Sequence, residues 1–476
     1  MRDQLDAVVV GAGPNGLAAA VAIARAGYSV AVFEAADTIG GGARSGELTV
    51  PGLVHDLCSA SHPFGVASPF LSALPLEQHG LEWVWADVDL AHPLDDGTAA
   101  FAYRDFDRTC DGLGEDGPRW RSVFGPLLST FDALTGDIMG PILRWPDHPV
   151  SMARFGLRAA MPATAIGRRF RTERARALWM GNAAHLYHRL DRPLSSSVGV
   201  MLTLAGHAHG WPVPRGGSAA ITAALASLLE SHGGTVTTGM HVRSLEELPS
   251  SRVVILDVAP GAAVELLGDR LPTRRQRALR RFRHGPAAFK VDFAVRNGVP
   301  WTAEKVGSAG FVHLGGSAAD IASGEAATVR GDMSQRPFVL VGQQHVADPG
   351  RAHDDLVPIY AYSHVPAGWS GDGESIIIDQ IERFAPGFRE RIVATSVQRP
   401  ADLQRDNPNL VDGDIVGGSN DPMQLLARPR LARDPYSTGA PGVFLCSAST
   451  PPGAGVHGMN GYHAATRALR LLGEAR

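Results

Sequence analysis

A chain of 476 residues, 44% hydrophobic and 19% charged, has the composition of an ordinary globular protein and is long enough for two domains. A formal net charge of −4 supplies no basic face for nucleic acid. Three scattered cysteines, Cys58, Cys110 and Cys446, form no CxxC pair, which argues against a disulfide framework or a zinc site and leads us to expect a cytoplasmic protein.

In chain order, Ala7–Val10 reads as a short buried strand, Gly16–Gly27 as a helix with Leu17, Ala20, Val21 and Ala24 on one face, and Tyr28–Glu34 as a second strand. The apolar run from Ala7 to Phe33 carries only Arg25 as a charge. Its glycines and Pro14 make it strand, turn, helix and strand rather than a membrane span. Gly40–Ser45 is a glycine loop, and positions 48–209 mix helices and loops. Trp211–Gly217 reads as a turn, Ser218–Gly233 as a helix, and Thr235–Leu245 and Arg252–Val258 as strands. A helix follows over Thr273–Arg283, then strands over Ala287–Val295, Phe338–Gln344 and Leu356–His364 and a helix over Glu374–Ala385. The chain closes with a strand over Gly442–Ser447 and a helix over Gly461–Leu472.

The first chemical signal is Gly11-Ala12-Gly13-Pro14-Asn15-Gly16 between strand and helix. Its first glycine makes the tight turn, the second admits a pyrophosphate to the backbone, and the third lets the helix pack close with its N-terminus toward the phosphates. Glu34, at the end of the next strand, stands where a carboxylate accepts from a ribose hydroxyl. Gly40-Gly41-Gly42-Ala43-Arg44 follows as a second loop suited to a diphosphate. Near the C-terminus, Pro451-Pro452-Gly453-Ala454-Gly455-Val456-His457-Gly458 lies between a strand and a helix, whose N-terminus offers free N–H groups and positive potential.

Together with Pro214-Arg215-Gly216-Gly217-Ser218, these motifs resemble the phytoene desaturase-like branch of the FAD-dependent amine oxidase superfamily, and in particular its phytoene dehydrogenase-related oxidoreductases, over nearly the full chain. The resemblance implies an α/β fold: a Rossmann-like FAD-binding domain from discontinuous segments (1–65, 211–285 and 421–476) and an interleaved α+β substrate domain (66–210 and 286–420). It implies that Gly11, Gly13, Pro14, Asn15, Gly16 and Glu34 hold the ADP moiety, and that Gly41, Gly42 and Arg44 sit at the diphosphate. Val242 would meet adenine with its backbone, and Gly453, Gly455, Val456 and His457 would face the flavin ring. Two features depart from the pattern: Ala43 separates the glycines from Arg44, and the hairpin after the adenine strand is short.

On the substrate side, Phe289, Val291 and Phe293 alternate with Lys290 and Asp292. Lys290 is one of only two lysines beside Lys305. The resemblance makes it a candidate to face flavin N5; a solvated outer strand face is the competing reading. His62 is a candidate base, with a buried structural histidine as the alternative. The activity implied is hydride transfer from a C–H bond of a largely apolar small molecule to flavin, forming C=C or C=N, with oxygen, quinone or another acceptor open. An amine oxidase, a redox-neutral FAD isomerase and a Rab escort-like binding protein remain as alternatives. Two arginine-rich stretches, Arg154–Arg176 and Arg274–Arg283, read as solvated helix faces or as a peripheral membrane contact.

Overall fold

The computed structural model describes residues 4–141 and 143–474. Five parallel strands form the first sheet, in the order Val443–Leu445, Ser251–Leu256, Leu5–Val10, Val30–Phe33, Thr235–Thr237. Its central strands are nearly continuous runs of valine, isoleucine and leucine because helices cover both faces. The helix Pro14–Arg25 packs beneath it with Leu17 through Val21 fully buried, and Met459–Glu474 lies against that helix. Gly461 permits the approach: a Cβ there would stand 1.9 Å from the Asn15 carbonyl oxygen.

The strand expected over Thr235–Leu245 ends at Thr237. Gly239 turns the chain at φ +68°, and the Met240 N–H donates back to the Glu34 carbonyl (2.8 Å). Val242 therefore lies outside any strand, buried in the apolar cluster around Val8, Val10 and Phe33.

The second sheet has seven strands, in the order Ile392–Gln398, Ala287–Arg296, Leu356–Val365, Val339–Gly342, Ala309–Leu314, Val88–Pro93, Ala99–Ala102. It is antiparallel except where Ala309–Leu314 meets Val88–Pro93. The molecule is thus an α/β fold with a parallel Rossmann-like sheet and an additional mixed sheet. Segments widely separated in the chain meet in that second sheet. Helices between residues 106 and 209, among them Glu173–Ala184 and Ser197–His209, bury Trp120, Phe124 and Trp179 in a core continuous with the first sheet.

Candidate functional site

The glycine loop after Leu5–Val10 is compressed to the limit of backbone contact. A Cβ on Gly16 would lie 2.0 Å from the Gly11 carbonyl oxygen, and one on Gly41 would lie 3.1 Å from the Gly13 Cα, so the two glycine loops touch only because both lack side chains. Gly13 caps the Pro14–Arg25 helix without any side-chain acceptor, and Asn15 Oδ1 is buried with no partner. Glu34 accepts from the N–H groups of Ala12 (2.7 Å, Oε2) and Ala36 (2.9 Å, Oε1), which fixes its carboxylate beside the loop with lone pairs to spare. Bare helix N-terminus, two loops that meet through glycines and a fixed carboxylate fit the diphosphate and ribose of a dinucleotide. Arg44 bends back to the carbonyls of Gly41 (3.0 Å) and Asp406 (2.6 Å), so in this structure its guanidinium braces the second loop.

Asp257 belongs to this site although no motif announced it. It ends the Ser251–Leu256 strand, and its Oδ2 accepts from the Gly16 N–H at 2.9 Å. Burial, aided by the nearby Glu34 charge and opposed by the Gly16 N–H, pushes its carboxyl up to about 7.

A cavity of about 650 Å³ lies against the second sheet, whose Phe311, Leu340, Tyr360 and Tyr362 line it. Pro452 through His457 line one side, Cys58 through Gly65 another, and Tyr187, Tyr360 and Tyr362 a third. Asn460 holds the C-terminal loop in shape, donating to the carbonyls of Thr450 (2.8 Å), Ser447 (3.2 Å) and Gly453 (3.3 Å). Gly453 and Gly455, at φ +114° and +136°, adopt backbone open to glycine alone. His457 Nδ1 accepts from the Met459 N–H (3.1 Å), so its role in this geometry is to shape the loop, and burial lowers it to about 4. Val456 is buried beside it. Arg428, buried at the cavity wall, donates to Asn420 Oδ1 (2.6 Å), and a Cβ on Gly453 would stand 2.9 Å from its Nη1. It is a cation next to the glycine loop that sequence reading did not single out.

His62 lines the cavity and bonds Ser218 Oγ through Nε2 (2.8 Å). Ser218 gives its single proton to the Ser59 carbonyl (2.7 Å), so the imidazole donates through Nε2 and keeps Nδ1 as a bare acceptor, which has no partner. Burial pushes His62 down to about 4, and it is neutral at pH 7. The arrangement serves both readings of His62, as an anchored structural residue with one acceptor to spare.

The structure removes the solvated reading of Lys290. Its side chain is neither solvated nor part of the cavity lining. It is buried, paired with Asp292, and its Nζ lies 4.7 Å from the centroid of the Tyr360 ring. The Lys290–Asp292 face of the strand is covered by the 54–56 hairpin, where His55 Nδ1 approaches Asp292 at 3.4 Å. Alternation along a strand identifies the face, and tertiary cover decides what that face meets.

The cavity's polar groups on the sheet side also escaped the sequence. His185 lines it and meets His313, Nε2 to Nε2, at 3.0 Å; burial lowers His185 to about 3 and holds His313 well below its usual range, so both are neutral. Behind Tyr187, whose ring centroid lies 3.7 Å from that of His364, a buried His364–Glu325 pair is bonded at 2.7 Å. These residues come from four separate elements, and no spacing in the chain links them.

Residues 9–72 match the NAD(P)-binding Rossmann-like domain family. Over 99% of its length the chain is 24% identical to pyridine nucleotide-disulfide oxidoreductase domain-containing protein 2 of Mus musculus, covering 94% of that protein. Among solved structures, a putrescine oxidase with redesigned cofactor binding shares the fold at a TM-score of 0.63 and 18% identity, with 99% of each chain covered. Cyclohexylamine oxidase from Brevibacterium oxydans does so at 0.60 and 16%, covering 99% of this chain and 100% of that one.

Proposed function

We propose that the protein is an FAD-dependent oxidoreductase acting as a dehydrogenase or desaturase on a neutral, largely apolar small molecule. The observation that carries this reading is the cavity itself: it runs from the C-terminal glycine loop to the tyrosine wall and is lined mainly by apolar groups. The amine oxidase-like fold and the oxidoreductase names of its relatives support it. The ADP half of FAD would rest on the Gly11–Gly16 and Gly41–Gly42 loops and Glu34, with the ring side toward Gly453, Gly455 and Val456. Bound there, flavin supplies a hydride acceptor, and the cofactor carries the hard chemistry. The chain's own residues orient the substrate between Tyr187, Tyr360 and Tyr362 and exclude water. His62, neutral and anchored to Ser218, lines the cavity with its buried Nδ1 unpartnered.

The alternative reading as an oxidase of cationic amines is disfavoured by the lining. Asp137 is its one carboxylate among the described residues, and it is already taken by the N–H groups of Asp147 and His148 and by Arg144. Nor does the mouse relative's name carry dithiol chemistry across, because Cys58, Cys110 and Cys446 form no CxxC pair and burial raises the Cys58 thiol to about 11. Anaerobic mixing of flavin-loaded protein with a substrate panel tests the proposal. Bleaching of the flavin band by neutral lipophilic C–H donors, and not by diamines, is the expected result. Bleaching by diamines alone would overturn it.

A further inference from the structure

Of the described residues that line the cavity, Arg144, Leu426 and Gly455 are exposed. Arg144 and Leu426 place one mouth between the 141–159 segment and the short helix Pro422–Leu426. Of the eleven large hydrophobic side chains exposed among the described residues, six fall in those two segments, and Leu431 follows five residues after the second. Trp145 is 85% exposed, Leu157 73%, Met423 74% and Leu431 69%. The helix Pro149–Ala159 explains how this arises: Phe155 and Ala159 face inward, while Val150 and Leu157 stand on its outer face beside Arg154, where a solvated helix would carry polar groups. An exposed apolar cluster of this kind marks an interaction surface.

The charge around the mouth identifies the partner. Between positions 141 and 171 there are six arginines and a single acidic residue, Asp147, and between 422 and 433 three arginines and no acidic residue. Arg144 and Arg171 are paired with Asp137 and Glu115 and Arg428 is buried, which leaves Arg154, Arg168, Arg169 and Arg433 exposed with no carboxylate partner among the described residues. This local excess sits on a chain of net charge −4. Arg158 gives its guanidinium to the carbonyls of Val123 and Arg154 rather than to a carboxylate. Tryptophan, leucine and methionine interleaved with arginine on one face match the interface of an anionic bilayer. Among the described residues no helix is long and apolar enough to cross a membrane, so the contact is with the surface.

We propose that this rim seats on an anionic lipid surface and places the cavity mouth against the bilayer, so that a lipophilic substrate enters without crossing water. The substrate part of the statement rests on the proposed function above; the docking part does not. The test is co-sedimentation of the flavin-loaded full-length protein with phosphatidylglycerol–phosphatidylcholine vesicles and with phosphatidylcholine alone. The parent is expected to partition onto the anionic vesicles and to be released by salt. Trp145→Ser with Leu157→Ser should lower partitioning by at least about tenfold, since each loses a side chain's worth of apolar burial. Arg154→Gln with Arg433→Gln should lower it by about fivefold per arginine. None of these four side chains lines the cavity, so flavin content and melting temperature should match the parent. Failure of the parent to sediment, equal binding to neutral vesicles, or a concentration-dependent dimer abolished by the serine variants without vesicle binding would each overturn the proposal. Partitioning is read from protein in the pellet, so an absent flavin band would sink the functional reading and leave this one standing.

Discussion

Asp257 is where single-residue chemistry bears most directly on the cofactor site. An isolated aspartate titrates near 4, whereas this one holds its proton to about 7 because it is buried against the glycine loop. Between those pH values the folded state binds a proton that the unfolded state has released. Stability contributed by the group is full below the unfolded value and declines as pH rises through about 7. The span corresponds to up to about 4 kcal/mol. Asp257→Asn keeps an acceptor for the Gly16 N–H but no charge. Its melting temperature should therefore fall less than the parent's between pH 5 and pH 8, and its FAD affinity should exceed the parent's above pH 7, where an ionised carboxylate would oppose the diphosphate. Parallel melting curves across that range would refute the assignment. Lys290 gives a second test. Lys290→Met strands the Asp292 carboxylate in the core and should cost about 3–5 kcal/mol, with Lys290→Met/Asp292→Asn recovering much of it. A single variant of parental stability that lost flavin reoxidation would support the direct catalytic role. Neither residue's environment could be read in advance: an aspartate at a strand end and a lysine in an alternating strand are common, and only the tertiary cover distinguishes these two.

Among the elements, the first βαβ unit was legible because its signals are local and stack: valine strand, glycine turn, apolar helix face and terminal glutamate all fall within thirty residues. The closing strand and helix were legible for the same reason, to within two residues. The strand over Thr235–Leu245 was overrun because apolar residues, Met240, Val242 and Leu245, continue past Gly239, and a positive-φ turn leaves little trace beyond the glycine itself. The Val88–Ala102 hairpin and the Ala309–Leu314 strand went unseen, the former interrupted by Pro93 and the Asp95-Asp96-Gly97 turn and the latter bounded by glycines that read as loop. The contact between the two glycine loops belongs to this scale. At φ +53°, and with a Cβ that would stand 3.1 Å from the Gly13 Cα, Gly41 accepts a side chain only with strain and displacement of the first loop. Gly41→Val should weaken FAD binding by at least about tenfold, read by fluorescence titration, a loss of about 1.4 kcal/mol. Unchanged affinity would mean that the two loops do not jointly frame the cofactor.

For the whole molecule, the cofactor half of the site was legible and the substrate half was not. Dinucleotide loops are carried by backbone, and glycine spacing records what backbone must do. The cavity is assembled from distant segments: Tyr187 comes from a loop after one helix, Tyr360 and Tyr362 from one strand of the second sheet, Arg428 from the last fifty residues. No periodicity links such residues, and their common function appears only once the chain has closed. The resulting architecture puts a dinucleotide cradle at one end of an apolar cavity, and its central claim is that FAD occupies the cradle and extends toward the C-terminal glycine loop. The most direct measurement is the absorption spectrum of the purified protein, recorded before and after acid precipitation and again after incubation with added FAD. Flavin bands that pass into the supernatant on precipitation are the expected result, since Cys446 is buried with its thiol held protonated and His457 Nδ1 is engaged by the Met459 N–H. No flavin bands in the isolated protein and none retained after reconstitution would contradict the account.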